Sequence, residues 1–256
     1  MATEHLQLKY PVVLVHGLGA RSTYGPFNYF YGLRKMLKDA KNPLLIASMT
    51  GWQTIERRSE QLRDQINHAF PEGKVNLVGH SMGGLDARFL AAQKGFKDRI
   101  ASVTTIGTPN RGSIMGDIAL GILPDTAFST AERLMKLFDS SSEPLKQVTR
   151  DFCNSELIKL APDQPGVAYF SATSAITKPL FKSALPFFWV PHGILTKTEG
   201  ENDGFVSVTS ATWGTHICTY AGDHYAQIGQ FLGYARGLNY MKFYEEIFTH
   251  LKAEGM

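Results

Sequence analysis

Cysteine is scarce in this chain: Cys153 and Cys218 are the only two among 256 residues. Two thiols in a chain of this length exclude a disulfide framework, and no Cys/His cluster has zinc-ligand spacing. Charge of one sign is scarce as well. The net charge of +3 is spread along the chain with no run of five basic residues, so electrostatics favours neither nucleic acid nor an anionic membrane as a partner. Long apolar runs are missing too. The most apolar segment, Ala184–Pro191, is short and broken by prolines, far below the roughly 18 residues of a membrane span. Met1–Lys9 lacks the apolar stretch of a signal peptide, which leaves two expectations: a protein not exported by that route, or a chain that begins after a removed signal. There is no P-loop, no dinucleotide-type G-x-G-x-x-G, no internal repeat and no low-complexity tract.

What is present reads as one α/β domain over residues 1–256. Hydrophobic residues make up 43% and charged residues 19%, an ordinary globular balance, and α/β folds often reach this length undivided. Short β-branched apolar runs alternate with helical patterns, the signature of βαβ units and a mostly parallel sheet with helices on both faces. The spacing predicts strands at Val12–Val15, Leu44–Ser48, Val75–Val78, Ala101–Ile106, Ala168–Thr173 and His216–Tyr220. It predicts helices at Phe30–Ala40, Ile55–Phe70, Gly84–Lys94 and Tyr225–Leu251, the last interrupted between Gly229 and Gly237. In the second helix Ile55, Leu62, Ile66 and Ala69 share one face, while Arg57, Glu60, Arg63 and Asp64 share the wet one. The alternation stops after Thr108-Pro109. Residues 110–166 hold no convincing strand but two apolar stretches, one with Ile114, Met115, Ile118, Ile122 and Leu123, the other with Leu134, Met135, Leu137 and Phe138. An insertion at that point of an open sheet lands over the carboxyl edge of the strands, as a helical lid or a fixed cap.

The strand at Val75–Val78 runs straight into Gly79-His80-Ser81-Met82-Gly83, a G-x-S-x-G pentapeptide followed by a helical pattern. Strand, sharp turn and helix are the context in which such a serine is pushed above the sheet edge as a nucleophile, with small residues where the turn passes its neighbours. An alkyl hydroxyl needs a base to take its proton. Four of the eight histidines follow Ser81: His192, His216, His224 and His250. His250 sits in the terminal helix, His216 opens the last strand at the end away from the elbow, and His192 precedes that strand after a Pro-rich apolar loop. His224 follows the last strand, at the same sheet edge as Ser81, and is the candidate base. The orienting acid should lie between the strands ending near Thr173 and starting near His216, where the only carboxylates are Glu199, Glu201 and Asp203. Asp203, in the tight turn Asn202-Asp203-Gly204, is favoured, with the two glutamates left open. Two N–H groups could face a developing oxyanion: that of Met82 at the helix start, and that of Leu18 after the strand that ends in His16-Gly17. His16 reads as an anchor for its loop.

These motifs resemble the Pseudomonas- and Proteus-type bacterial triacylglycerol lipases (family I) of the α/β-hydrolase superfamily. The resemblance rests on Tyr10–Leu18, Tyr29-Phe30-Tyr31-Gly32, Gly79–Gly84, Gly107–Ser113, Asn202–Val206, and Asp223-His224 with Gln230. It implies the α/β-hydrolase fold, a triad of Ser81, Asp203 and His224, oxyanion donors Leu18 and Met82, a lid after Thr108-Pro109 that opens at lipid–water interfaces, and secretion. One position departs from the pattern. Many such lipases hold a structural calcium with an aspartate two residues after the catalytic histidine, where this chain has Ala226. A hard cation that loses a charged oxygen ligand binds much more weakly, so no cofactor or tight calcium site is expected.

The leading expectation is therefore a serine hydrolase of lipid carboxylic esters, monomeric and without nucleic-acid partners. Phe187, Phe188, Trp189, Ile118 and Ile122 are its candidate acyl-binding residues. A short-chain esterase, thioesterase or lipid deacylase is the second reading, and a hydrolase-like scaffold that binds a small ligand without turnover the third.

Overall fold

A computed structural model of the chain describes residues 4–24, 27–121, 142–230 and 232–256. Among them, the central sheet has six strands: β1 (Val12–Val15), β2 (Leu44–Ile46), β3 (Val75–His80), β4 (Ile100–Ile106), β5 (Ala168–Ala175) and β6 (Thr215–Ala221). Their order is β2-β1-β3-β4-β5-β6 and every pairing is parallel. Thr23–Tyr24 and Phe27–Asn28 form a separate small antiparallel pair. The helices that matter here are α1 (Leu33–Asp39), α2 (Ile55–Ala69), α3 (Met82–Ala92), α4 (Ile114–Ala119), α5 (Trp189–Thr198), α6 (Val208–Ala211) and α7 (Tyr240–Ala253).

β1 reads as an unbroken apolar run because both faces of the sheet are covered, while β3, β4 and β5 also bury polar side chains such as Asn76, Ser102 and Ser171. Val12 and Leu14 pack with α1 and α7 on one face, and Val13 and Val15 pack toward α2 and α3 on the other. In α7, Tyr240, Phe243, Tyr244, Ile247, Phe248 and Leu251 recur at three- and four-residue spacing and are all buried. Each large apolar side chain buried this way contributes about 1.5–3 kcal/mol against the entropy of ordering the chain. α2 starts where the Thr54 side chain accepts the Arg57 N–H, an N-cap that satisfies one orphan donor. Because the strands are parallel, their carboxyl ends share one edge, and the turns after β1, β3, β5 and β6 all meet there.

The predicted strands are all present, four of them extended by one or two residues, while β2 ends at Ile46, two residues short of the expected Ser48. Three helical expectations change. The interruption expected between Gly229 and Gly237 is present among the described residues, with all three of its glycines at positive φ, but Tyr225–Ile228 holds only a short 3₁₀ turn at Ala226–Ile228 and α7 begins only at Tyr240. Ala69 is exposed rather than on the packed face of α2, while Arg58 of the same helix is fully buried. The Pro-rich segment expected as a loop before His192 is the first turn of α5: Pro191 sits at its third position, where the missing N–H would have had no intrahelical acceptor. In residues 110–166 the described part is helical and strandless, with α4, a short helix at Glu143–Lys146 and a helical run over Arg150–Leu160. Ile122, Leu123, Leu134, Met135, Leu137 and Phe138 lie outside the described residues.

Candidate active site

Ser81 sits between β3 and α3 with φ 57° and ψ −132°, a conformation that non-glycine residues rarely adopt. The surroundings impose it. Its N–H donates to the Ile106 carbonyl at the end of β4 (2.9 Å), and a Cβ at Gly79 would overlap the backbone of Gly83 and Gly84. At Gly83 a Cβ would run into the carbonyls of Val15 and His16. The strain is thus held by sheet and helix on three sides, as expected where geometry serves chemistry. Met82, the first residue of α3, leaves its N–H at the helix start without a backbone acceptor among the described residues, and the same holds for the N–H of Leu18.

His224 and Asp203 meet at the same edge. His224 Nδ1 lies 2.7 Å from Asp203 Oδ2, and both side chains are buried. A carboxylate only accepts, so Nδ1 carries the proton and Nε2 is left free to act as a base. The Asp203 carboxylate is fully satisfied: Oδ1 accepts the N–H groups of Phe205 (2.9 Å) and Val206 (2.8 Å), and Oδ2 also accepts from Gln227 Nε2 (2.9 Å). Four donors on one buried carboxylate fix its direction. Of the other acids between β5 and β6, Glu199 accepts the Ile114 N–H at the start of α4, and Glu201 is exposed. Among the other histidines, His192 bonds Asn202 (3.0 Å), His216 is exposed, and the His250 ring packs edge-on against Phe170.

A second set of buried groups ties this pair to the loop after β1. His80 Nε2 donates to the carbonyl of His224 (3.1 Å), so Nδ1 accepts from the Tyr29 hydroxyl (2.7 Å). That hydroxyl in turn accepts the N–H of Gly17 (3.2 Å). Burial first, and the neighbouring His224 second, hold His80 well below the usual histidine range, which keeps it neutral and in one tautomer. His16 is fixed in the same manner. The Met49 N–H donates to its Nε2 (3.0 Å), so Nδ1–H donates to the Gly17 carbonyl (3.0 Å). Burial, with Arg58 adding to it, lowers its pKa to about 4. Across a trans peptide the N–H points opposite to the C=O, so the His16 ring aims the Leu18 N–H away from itself. Arg58, with no exposed surface, holds the outside of this loop: it bonds Asp86 twice at 2.8 Å and donates to the carbonyl of His16 (2.6 Å).

The geometry fits a chain whose residues 10–138 match the family model of the alpha/beta hydrolase fold, half of its length. The chain belongs to the α/β-hydrolase fold family. Ser81 and Leu18 lie inside the matched residues, whereas Asp203 and His224 lie beyond them. The chain is 36% identical over 128 residues to a triacylglycerol lipase of Vibrio cholerae, a match covering 49% of this chain and 40% of that protein. It is 38% identical over 129 residues to a triacylglycerol lipase of Pseudarthrobacter phenanthrenivorans, covering 48% and 40%. The match thus spans well under two thirds of these relatives. Among solved structures, the Staphylococcus hyicus lipase superposes with a TM-score of 0.71 at 18% identity, over 97% of both chains, a likeness of fold.

Within this α/β-hydrolase the candidate acyl-binding residues separate. Phe188 is core: it has no exposed surface and packs edge-on against Phe205 (5.0 Å) and Tyr225 (5.2 Å). Phe187 and Trp189 are exposed, and Phe205, not singled out from the sequence, bridges Phe187 to His224 with ring centroids 5.9 and 5.3 Å apart. Ile118 packs against Ile114, Met115 and Leu195, whereas Ile122 lies outside the described residues. Two residues after His224, Ala226 is buried and apolar, and the Asp223 carboxylate already accepts the N–H groups of Leu185, Tyr225 and Ala226. Gln230 presents its amide nitrogen to the carbonyls of Asn28 and Tyr29 (3.1 and 3.0 Å). A donor already occupies those oxygens. Both cysteines are free thiols. Sequence reasoning missed Gln227, Tyr29, Arg58 and the role of His80, because their partners are remote in the chain and carry no spacing signal.

Proposed function

We propose that this chain is a serine hydrolase of carboxylic esters, acting on lipid esters through an acyl-enzyme on Ser81. Ser81 Oγ attacks the ester carbonyl carbon while His224 Nε2 takes its proton, and Asp203 stabilises the imidazolium through Nδ1–H. The N–H groups of Leu18 and Met82 receive the negative charge that develops on the carbonyl oxygen. The tetrahedral adduct collapses as the imidazolium protonates the leaving alcohol, which departs and leaves the acyl group on Oγ. Water then enters, gives a proton to His224 and adds to the acyl carbon. Collapse releases the carboxylic acid and returns the proton to Ser81.

The observation that carries this reading is the 2.7 Å Asp203–His224 hydrogen bond at the sheet edge that also bears the strained Ser81 turn. The names of the matched relatives support a lipid ester as substrate. The residues around Ala226 support a calcium-independent enzyme. The position of the insertion and the helices in its described part support a lid, with residues 110–166 as a covering element of a single domain. Among the described residues, no helix is long and apolar enough to cross a membrane.

Initial rates on p-nitrophenyl esters from acetate to palmitate, with wild type beside Ser81→Ala, test the proposal. A Ser81-dependent rate that rises towards octanoate and longer chains is the expected result. A rate confined to acetate and butyrate would make the enzyme a short-chain esterase, and no Ser81-dependent rate on any ester would sink the hydrolytic reading.

A further inference from the structure

Nine large apolar side chains are exposed among the described residues, and six of them fall in two short stretches: Phe181, Phe187, Trp189 and Val190, then Leu232 and Tyr234. Tyr234 is 70% exposed, Phe181 and Phe187 57%, and Leu232 56%. Isolated exposed leucines or phenylalanines are ordinary, but this concentration is not. The two stretches touch. Arg236 donates to the Phe181 carbonyl, and a Cβ at Gly237 would lie 3.1 Å from the backbone of Ser183. Leu232 is held at φ 56°, a left-handed conformation that costs a leucine energy and here presents its side chain to solvent.

Charge in the sequence that carries this face has one sign. From Gln164 to Thr198 and from His224 to Tyr244 the sequence has no aspartate or glutamate, while Lys178, Lys182, Lys197, Arg236 and Lys242 fall in those stretches. Lys178 and Lys182 are exposed, and Lys182 Nζ sits 6.0 Å from the Phe181 ring centre. The face also leads inward. Phe187 contacts Phe205, and Phe205 contacts His224, so exposed apolar surface continues by ring-to-ring contact to the base of the candidate site.

Aromatic and leucine side chains rimmed by lysine and arginine, with no acid between them, match a bilayer interface whose headgroups are negative. We propose that this face docks the protein on anionic phospholipid membranes, its apolar side chains entering the headgroup layer and Lys178 and Lys182 facing the lipid phosphates. The ester that reaches Ser81 then comes from an anionic membrane; only this last consequence rests on the hydrolase reading.

The test is co-sedimentation of the full chain, as Ser81→Ala so that no lipid is consumed, with two kinds of vesicle. One is phosphatidylcholine alone, and the other equimolar phosphatidylcholine and phosphatidylglycerol. Binding should be strong only to the second and should weaken as salt screens the charges. Each lysine near an anionic surface raises partitioning roughly fivefold, so Lys178→Glu with Lys182→Glu should lower binding at least about 25-fold. Phe181→Ser with Tyr234→Ser, at exposed positions, should weaken binding to both vesicle types and leave Ser81-dependent hydrolysis of soluble p-nitrophenyl butyrate unchanged. Equal binding to neutral and anionic vesicles, no binding to either, or undiminished binding by both double variants would overturn the proposal. Vesicle binding without any Ser81-dependent hydrolysis would instead overturn the hydrolase reading and leave the docking face standing.

Discussion

Replacing Arg58 by methionine removes a cation with no exposed surface and leaves Asp86, equally buried, without its partner. Breaking a buried pair in this way costs about 3–5 kcal/mol, a large share of the roughly 5–15 kcal/mol that holds a domain folded. At roughly 2–4 °C per kcal/mol for a domain near this size, the melting temperature should fall by about 6–20 °C. The pH dependence has a definite sign. Burial pushes the Asp86 carboxyl from 3.8 up to about 6 even though Arg58 opposes the shift. Between those values the folded chain keeps a proton that the unfolded chain has released, so this group's stabilising contribution is present at low pH and is lost as pH rises to about 6. Without Arg58 the window extends upward, so the melting temperature should drop less at about pH 5 than at about pH 8.

Activity separates packing from positioning. Arg58 also donates to the carbonyls of His16, Thr50 and Gly51, and thereby braces the loop that carries the Leu18 N–H. Losing the alignment of one oxyanion donor lowers kcat by at most about 10²–10³. In the double variant Arg58→Met/Asp86→Leu the uncompensated charge is gone, so stability should return by half or more while kcat stays low. Differential scanning calorimetry with p-nitrophenyl ester kinetics reads both. A single variant melting within about 2 °C of wild type, less than 1 kcal/mol, would refute the buried-pair argument. Full recovery of kcat in the double variant would refute the bracing role.

Gln227→Met deletes one donor on Asp203 Oδ2 together with an amide oxygen that has no partner among the described residues, so the two stability effects offset while kcat/KM on a soluble ester falls roughly 10-fold; a kcat/KM equal to wild type would show that Gln227 only fills space. Asp203→Asn should keep the fold by circular dichroism and lower kcat by about 10⁴, since the wrong His224 tautomer is then held; a loss below about tenfold would argue against Asp203 as the orienting acid. Gly17→Ala puts a methyl 2.9 Å from Ser81 Cβ and from the Tyr29 hydroxyl, and should reduce kcat more than it raises KM, as stopped-flow burst rates would show. Burial lifts the Cys153 thiol to about 12, so iodoacetamide at about pH 8 should label it only after unfolding, followed by mass spectrometry.

Local pattern alone determined much of this protein. Runs rich in β-branched and apolar residues placed the six strands, because a parallel strand covered on both faces favours apolar side chains, and β1 comes out at Val12–Val15 as its valines and leucine require. The elbow at Ser81 was legible because a strained serine turn demands small residues at fixed offsets. Chain order with strand polarity was enough to bring out His224, and left Asp203 beside two glutamates. What the sequence could not settle depends on groups far apart in the chain. Whether Arg58 faces water or the buried Asp86 depends on where α3 packs, and helical spacing alone put neither residue at that contact. Gln227, His80 and Tyr29 gain their roles only when the turns after β1, β3, β5 and β6 converge at one edge. Hydrogen bonds reach about 3 Å, and such convergence over a hundred residues of chain is a property of tertiary structure alone.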